Sequence, residues 1–172
     1  AGFMPNAPEA VIAMLATAAV GATWSSCSPD FGTQGVLDRF GQIAPKVLVA
    51  ANGYRYGGKD FSSLDKIQAV VDAIPAIENL LLVSFSDAVA AVPEPGSRAS
   101  QIGQPWSVFG DVTAQDIVFD RGDFNRPLFI MYSSGTTGVP KCIVHGAGGT
   151  LLQHAKELML HSELRPGNRI LY

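Results

Sequence analysis

The stretch Leu128-Phe129-Ile130-Met131-Tyr132-Ser133-Ser134-Gly135-Thr136-Thr137-Gly138-Val139-Pro140-Lys141-Cys142-Ile143-Val144-His145 says more than the rest of the chain together. The apolar run Leu128 to Tyr132 predicts a strand, and Lys141 to His145 predicts a second, joined to it in a hairpin-like pair. Between them lie four hydroxyls and two glycines, closed by Pro140 and a lysine. Glycine lets a backbone turn sharply and bring its amides close to an anion. Hydroxyls add donors, and Lys141 adds a positive charge. A polyphosphate suits such a loop. A plain turn needs only one or two residues tolerant of positive φ. It has no use for Ser-Ser, Thr-Thr and a terminal lysine in one stretch. Nor is this a Walker A loop, which ends in Gly-Lys-Ser/Thr; here Pro140 precedes the lysine and Cys142 follows it.

Outward from the loop, strand and helix patterns alternate. Asn6 is placed to cap a helix, with Pro8 in its first turn and Glu9 at the capping-box position. Val11, Met14, Leu15, Ala18 and Ala19 then follow at helical spacing on a nearly all-apolar cylinder, which predicts a deeply packed helix. Thr23 to Ser28 predicts a short strand. Thr33 caps a second helix with Val36, Phe40 and Ile43 inward, ended by Pro45. Lys46 to Ala51 predicts a buried strand, and Ser63 caps a third helix carrying Leu64, Ile67, Val71 and Ile74. Leu80 to Phe85 is the next strand. This alternation implies right-handed crossovers and an α/β fold: a mostly parallel sheet with flanking helices. Residues 86–108, rich in Ala, Pro and Ser, read as a surface loop. A last helix, about Thr150 to His161, would bury Leu151, Leu152, Ala155, Leu158 and Met159. Pro166-Gly167 would then turn the chain into a terminal strand.

Composition supports one ordered core. Of 172 residues, 47% are apolar and 16% charged, which excludes a disordered chain. The net charge of −3 and the lack of any basic stripe argue against a nucleic-acid partner. The most apolar stretch, Ala10 to Ala22, is too short to span a bilayer. No basic segment precedes it, as a signal peptide would require. Cys27 and Cys142 have no metal-ligand spacing, and buried, reduced thiols in a cytoplasmic protein are the expectation.

The loop resembles the phosphate-loop signature of the adenylate-forming superfamily, roughly Thr/Ser-Ser-Gly-Thr-Thr-Gly-x-Pro-Lys, at every position. That superfamily holds acyl- and aryl-CoA synthetases, luciferases and peptide-synthetase adenylation domains. The flanks KCIVHGAGGTLLQHAKELMLHSELRPGNRILY and MPNAPEAVIAMLATAAVGATWSSCSPDFGTQGVLDRFGQIAPKVLVAANGYRYGGK resemble the acetoacetate-activating branch. Acetyl- and propionyl-CoA synthetases share the loop but usually differ where WSSCSPDFG stands. The resemblance implies that Ser133, Ser134, Gly135, Thr136, Thr137, Gly138 and Lys141 hold ATP phosphates, with Lys141 as the catalytic cation. It implies the substrates ATP, CoA and acetoacetate or another short acid. It also implies Mg2+, to which no residue is assigned. Residues 1–172 would be part of an AMP-binding N-terminal domain. Both ends cut through strand-like sequence, so the chain is expected to be a fragment, its C-terminal domain and its adenine and acyl sites lying elsewhere. Such a fragment alone would be inactive.

A second stretch, Asn52-Gly53-Tyr54-Arg55-Tyr56-Gly57-Gly58-Lys59, follows a strand, where ligands of open α/β sheets gather. Resemblance to an Arg-rich turn of acetyl-CoA synthetases makes Arg55 and Lys59 candidates for the 3′-phosphate of CoA. A solvated surface loop is the alternative. His145 is expected to steady the hairpin by hydrogen bonding, and His154 and His161 to lie on a helix surface. Asp30-Phe31-Gly32 shapes a turn, and its match to a kinase magnesium motif is chance without the other kinase elements. Two other readings stay open: a fragment of an acetyl- or propionyl-CoA synthetase, and a stand-alone, non-catalytic nucleotide-binding or structural module.

Overall fold

The computed structural model describes residues 1–108, 116–133 and 138–170. A seven-stranded sheet forms the frame. Its strands are β1 (Gly2–Phe3), β2 (Trp24–Cys27), β3 (Val47–Ala51), β6 (Asn79–Val83), β7 (Gly103–Pro105), β8 (Pro127–Ser133) and β9 (Lys141–Gly146). A separate hairpin, β4 (Gly53–Tyr56) and β5 (Lys59–Ser62), follows β3. The sheet order is β7-β6-β3-β1-β2-β8-β9. Every neighbouring pair is parallel except β8 with β9. The crossovers are α1 (Pro8–Ala19), α2 (Thr33–Ile43), α3 (Leu64–Ala73) and α4 (Arg98–Ile102), and α5 (Ala147–Lys156) follows β9. The α/β fold and the hairpin-like pair are therefore as expected.

The strand period of two sorts the core into two layers. Phe3, Cys27, Leu48, Ala50, Leu80 and Leu82 pack with Val36 and Phe40 of α2, Ile67, Val70 and Val71 of α3, and Ala99 of α4. Trp24, Val49, Ala51, Leu81 and Val83 face the other way, against Ala13 and its neighbours Ala10 and Met14 on α1. Both faces of β3 and β6 are covered, which is why those strands read as unbroken apolar runs. Asn52, 1% exposed, continues β3. Its carboxamide accepts from the amides of Phe85 and Ser86 and donates to the carbonyls of Ser86 and Ala90. This ties the ends of β3 and β6 together.

Several expectations are corrected. Helix α1 is not deeply packed: Val11, Ile12 and Leu15 are about half exposed, and the residues that join the core are Ala10, Ala13 and Met14. An apolar cylinder has no periodic contrast, so its buried side could not be read. Its N-cap is Ala7 with Pro8 at the first turn, and neither Asn6 nor Glu9 forms a box. Helix α2 is capped by Gly32 without a side-chain bond. Residues 86–108 form a loop only as far as Ser97, which accepts from the Ser100 amide and starts α4. The β7 strand then adds an edge to the sheet, paired Leu80 to Gly103 and Leu82 to Pro105. Proline survives there because it has no second neighbour strand. Helix α5 starts at Ala147, earlier than expected, and passes into one π-helical turn at Glu157–His161. Leu151, Leu152, Leu158 and Met159 stay exposed. No strand forms at residues 168–170, and the rest of the expected terminal strand lies outside the described residues.

Candidate functional site

Strand β8 lies parallel to β2, so its carboxyl end, Ser133, sits at the same edge as the carboxyl ends of β1, β3 and β6. Open α/β sheets bind ligands at that edge. The antiparallel partner β9 starts at Lys141, whose Cα partner across the ladder is Ser133. The segment between them is thus pinched at its base, with a hydroxyl on one leg and an ammonium on the other. Ser134, Gly135, Thr136 and Thr137 lie outside the described residues. Gly138 has φ of 92°, a left-handed value that favours glycine. Lys141 is exposed. Ser133, Gly138 and Lys141 are therefore brought together at one hairpin, as the sequence suggests.

Residues that the sequence did not flag hold the base of this hairpin. The Ser25 hydroxyl donates to the Ile130 carbonyl at 2.8 Å and is hydrogen-bonded to the Tyr132 hydroxyl at 2.9 Å. Burial pushes the Tyr132 phenol up to about 12, opposed by the bond to Ser25. The Arg39 guanidinium sits 5.7 Å from the Tyr132 ring centroid and 4.6 Å from that of Phe31. One turn on, the Gln42 amide donates to the Pro140 carbonyl at 2.8 Å. Arg39 and Gln42 are three residues apart and so share a helix face. That spacing was the available signal, but nothing in the sequence says which strands a helix face will meet. His145, opposite Phe129 on β9, is exposed, and its ring makes no hydrogen bond among the described residues. Among the described residues, the side-chain contacts that hold the hairpin come from Ser25, Arg39 and Gln42. His154 and His161 are exposed on the final helical segment, as expected.

The second stretch is a β-hairpin and not an irregular loop. Gly57 and Gly58, at φ of 56° and 77°, make the two-residue turn that requires positive φ at both positions. Tyr54 stacks on Phe61 at 5.3 Å, and the Lys66 ammonium lies 5.3 Å from the Tyr54 ring centroid. Arg55 donates twice to Asp60, at 2.9 and 3.2 Å, and the Ser86 hydroxyl donates to the same carboxylate. The bond from Arg55, then that from Ser86, lowers the Asp60 carboxyl below the usual range. Lys59 is exposed beside the turn. Arg55, Asp60, Phe85, Ser86, Asp87 and Ala88 line an open cleft of about 570 Å³. This hairpin follows the carboxyl end of β3, so both candidate sites lie off the same edge of the sheet.

Among the described residues, no group of three His, Cys, Asp or Glu side chains could hold a metal ion. No helix there is long and apolar enough to cross a membrane.

The sequence matches the AMP-binding enzyme family over residues 1–171. The chain belongs to that family. Among AMP-binding relatives, it is 49% identical over its whole length to the acetoacetyl-coenzyme A synthetase of Rhizobium meliloti (strain 1021). It is 45% identical, over 99% of its length, to the acetoacetyl-CoA synthetase of Mus musculus. The chain spans 26% of the length of these curated relatives. Its fold superposes on the acetoacetyl-CoA synthetase from Streptomyces lividans with a TM-score of 0.86 at 41% identity. That match covers 98% of this chain and 25% of the other. An AMP-binding fold accordingly accounts for the sheet order and for the strand–loop–strand unit at its carboxyl edge.

Proposed function

We propose that this chain supplies the ATP phosphate loop of an acid–thiol ligase that joins acetoacetate to CoA with cleavage of ATP to AMP and pyrophosphate. A carboxylate reacts poorly with a thiol because its leaving group would be an oxide ion. Adenylation solves this. The carboxylate attacks the α-phosphate and expels pyrophosphate, giving an acyl-adenylate. The CoA thiol then attacks the acyl carbon and releases AMP. During the first step negative charge gathers on the departing pyrophosphate, so donors and cations around the β- and γ-phosphates lower the barrier.

The observation that carries this reading is the pinched base of the hairpin, where Lys141 stands across from Ser133. Lys141 approaches the phosphates from one leg, Ser133 donates from the other, and Gly138 turns the backbone between them. A charge-assisted hydrogen bond there contributes about 1.5–3 kcal/mol. A lysine some 4 Å from a phosphate charge gains about 4 kcal/mol at a near-surface effective dielectric. Ser134, Gly135, Thr136 and Thr137 complete the cradle by resemblance. Arg55 and Lys59 receive the 3′-phosphate of CoA, and Arg55 exchanges its Asp60 partner for that phosphate. Magnesium accompanies ATP in this reading, but the described residues offer it no cluster of ligands, and no step here depends on it.

Acetoacetate rests on the names of the relatives. The runner-up acid is a short one such as acetate or propionate. The remaining partners are the small-molecule substrates and the rest of the enzyme, in the cytoplasm, where free Cys27 and Cys142 would stay reduced. The test is ATP–pyrophosphate exchange by the intact protein with a panel of short acids. Exchange that depends on acetoacetate supports the reading. Exchange with acetate alone favours the runner-up, and no exchange with any acid leaves only a nucleotide-binding module.

A further inference from the structure

The phosphate hairpin is held from outside by one face of α2, and the geometry points to Gln42 as a positioning residue for Lys141. This rests on the phosphate-loop reading above. Two residues of α2 reach the two legs of the hairpin, one on each side of the Ser133–Lys141 rung. Arg39 lies over the ring of Tyr132, the residue just before Ser133. Gln42 donates to the carbonyl of Pro140, the residue just before Lys141. Tyr132 and Cys142 are themselves partners across the ladder, as are Ser133 and Lys141. Helix α2 therefore grips the hairpin just before Ser133 on one leg and, on the other, at the last residue of the loop leading into Lys141.

The Gln42 carboxamide is fully committed as a donor. Its nitrogen also donates to the Asp38 carbonyl within its own helix, at 2.5 Å. Two protons thus serve two carbonyls, one on the helix and one on the loop. Rotating the amide by half a turn would set its oxygen against both carbonyls, so the donor orientation is fixed. The bond fixes the peptide plane joining Pro140 to Lys141 and hence the direction in which the lysine leaves the backbone. Pro140 has no amide hydrogen, so its carbonyl is the one backbone hydrogen-bonding group that this residue presents. Gln42 is itself exposed and lies outside both core layers. Its replacement therefore leaves the fold intact while freeing the lysine leg.

The experiment compares Gln42→Ala, Gln42→Glu and Lys141→Ala in the intact protein. Gln42→Glu keeps the shape, loses both donors and places a carboxylate against the Pro140 carbonyl. The expected result is a rise in KM for ATP in the adenylation half-reaction of about three- to tenfold for Gln42→Ala, the net worth of one hydrogen bond, and more for Gln42→Glu. The thermal midpoint should stay unchanged, as should the rate of thioester formation from supplied acyl-adenylate, which needs no phosphate grip. A purely structural role would slow both half-reactions together, and that result overturns the inference. Normal adenylation by both Gln42 variants beside an impaired Lys141→Ala also overturns it, while leaving the phosphate-loop reading standing. Normal adenylation by Lys141→Ala overturns that reading and this inference with it.

Discussion

Lys141 and Ser133 are Cα partners on the last rung of the β8–β9 ladder, at the carboxyl edge of the parallel sheet. The position follows from local sequence. Each leg is an apolar run, the residues between them include two glycines, and the parallel pairing of β8 with β2 puts the open end at the carboxyl edge of the sheet. Lys141 is exposed at that position, so its ammonium is not buried in the core.

The Tyr132 phenol gives the hairpin an alkaline limit. Its pKa in the fold is about 12 against an ordinary 10, raised mainly by burial. The unfolded phenol therefore loses its proton first. The stability linked to this group is complete below pH 10 and falls as pH rises from about 10 towards 12. Absorbance titration should show one tyrosine ionising late, and Tyr132→Phe should abolish that late phase. The same variant loses the bond to Ser25 and should cost about 1 kcal/mol in denaturant unfolding.

The two cysteines should differ sharply in reactivity. Cys27 is 5% exposed, and burial, opposed by the nearby Arg39 charge, pushes its thiol up to about 12. Cys142 is partly exposed on β9. Thiolate is the attacking form. An alkylating reagent at neutral pH should therefore label Cys142 in the native protein and Cys27 only after unfolding, as peptide mapping would show. Equal labelling of both would contradict the two-layer core.

Phe40 anchors the layer between α2 and the sheet with no exposed surface. Phe40→Ala should cost about 3–5 kcal/mol, the usual result of emptying a packed aromatic site. Because α2 also carries Gln42 and Arg39, loosening it should disturb the hairpin before the opposite end of the sheet. Hydrogen exchange of the β9 amides, compared with those of β6, would register the order.

Much of this fold was legible beforehand, and the limits have physical causes. The runs Val47–Ala51 and Leu80–Val83 are buried on both faces and could be read as strands outright. The inward residues of α2 and α3, such as Val36, Phe40, Ile67 and Val71, stand out because polar residues separate them. Helix α1 lacks that contrast, so of its packed stripe of Ala10, Ala13 and Met14 only Met14 is read from the sequence, beside the larger Val11 and Leu15, which stay exposed. The β7 strand was missed because three residues with Gly and Pro carry no periodicity. At the site, Ser133, Gly138 and Lys141 announced themselves by chemistry. Ser25, Arg39 and Gln42 did not, since their role arises from contacts with residues about a hundred positions away.

Arg55 tests the CoA reading separately. In the fold it is paired with Asp60, whose carboxyl is held low by the bonds from Arg55 and Ser86. The charge pair should thus persist above the ordinary carboxylate range and weaken only as pH falls below about 4. Arg55→Ala should raise KM for CoA about tenfold, allowing for screening of an exposed charge, and leave KM for 3′-dephospho-CoA unchanged. Equal losses for both substrates would argue against a 3′-phosphate contact.

The most direct measurement is ATP–pyrophosphate exchange by the intact protein with Lys141 replaced by alanine, acetoacetate being present. If this lysine steadies the departing pyrophosphate, exchange should fall about ten- to a thousand-fold, at about 1.4 kcal/mol for each factor of ten, while the protein stays folded. Exchange at the unsubstituted rate would contradict the assignment of the hairpin to ATP.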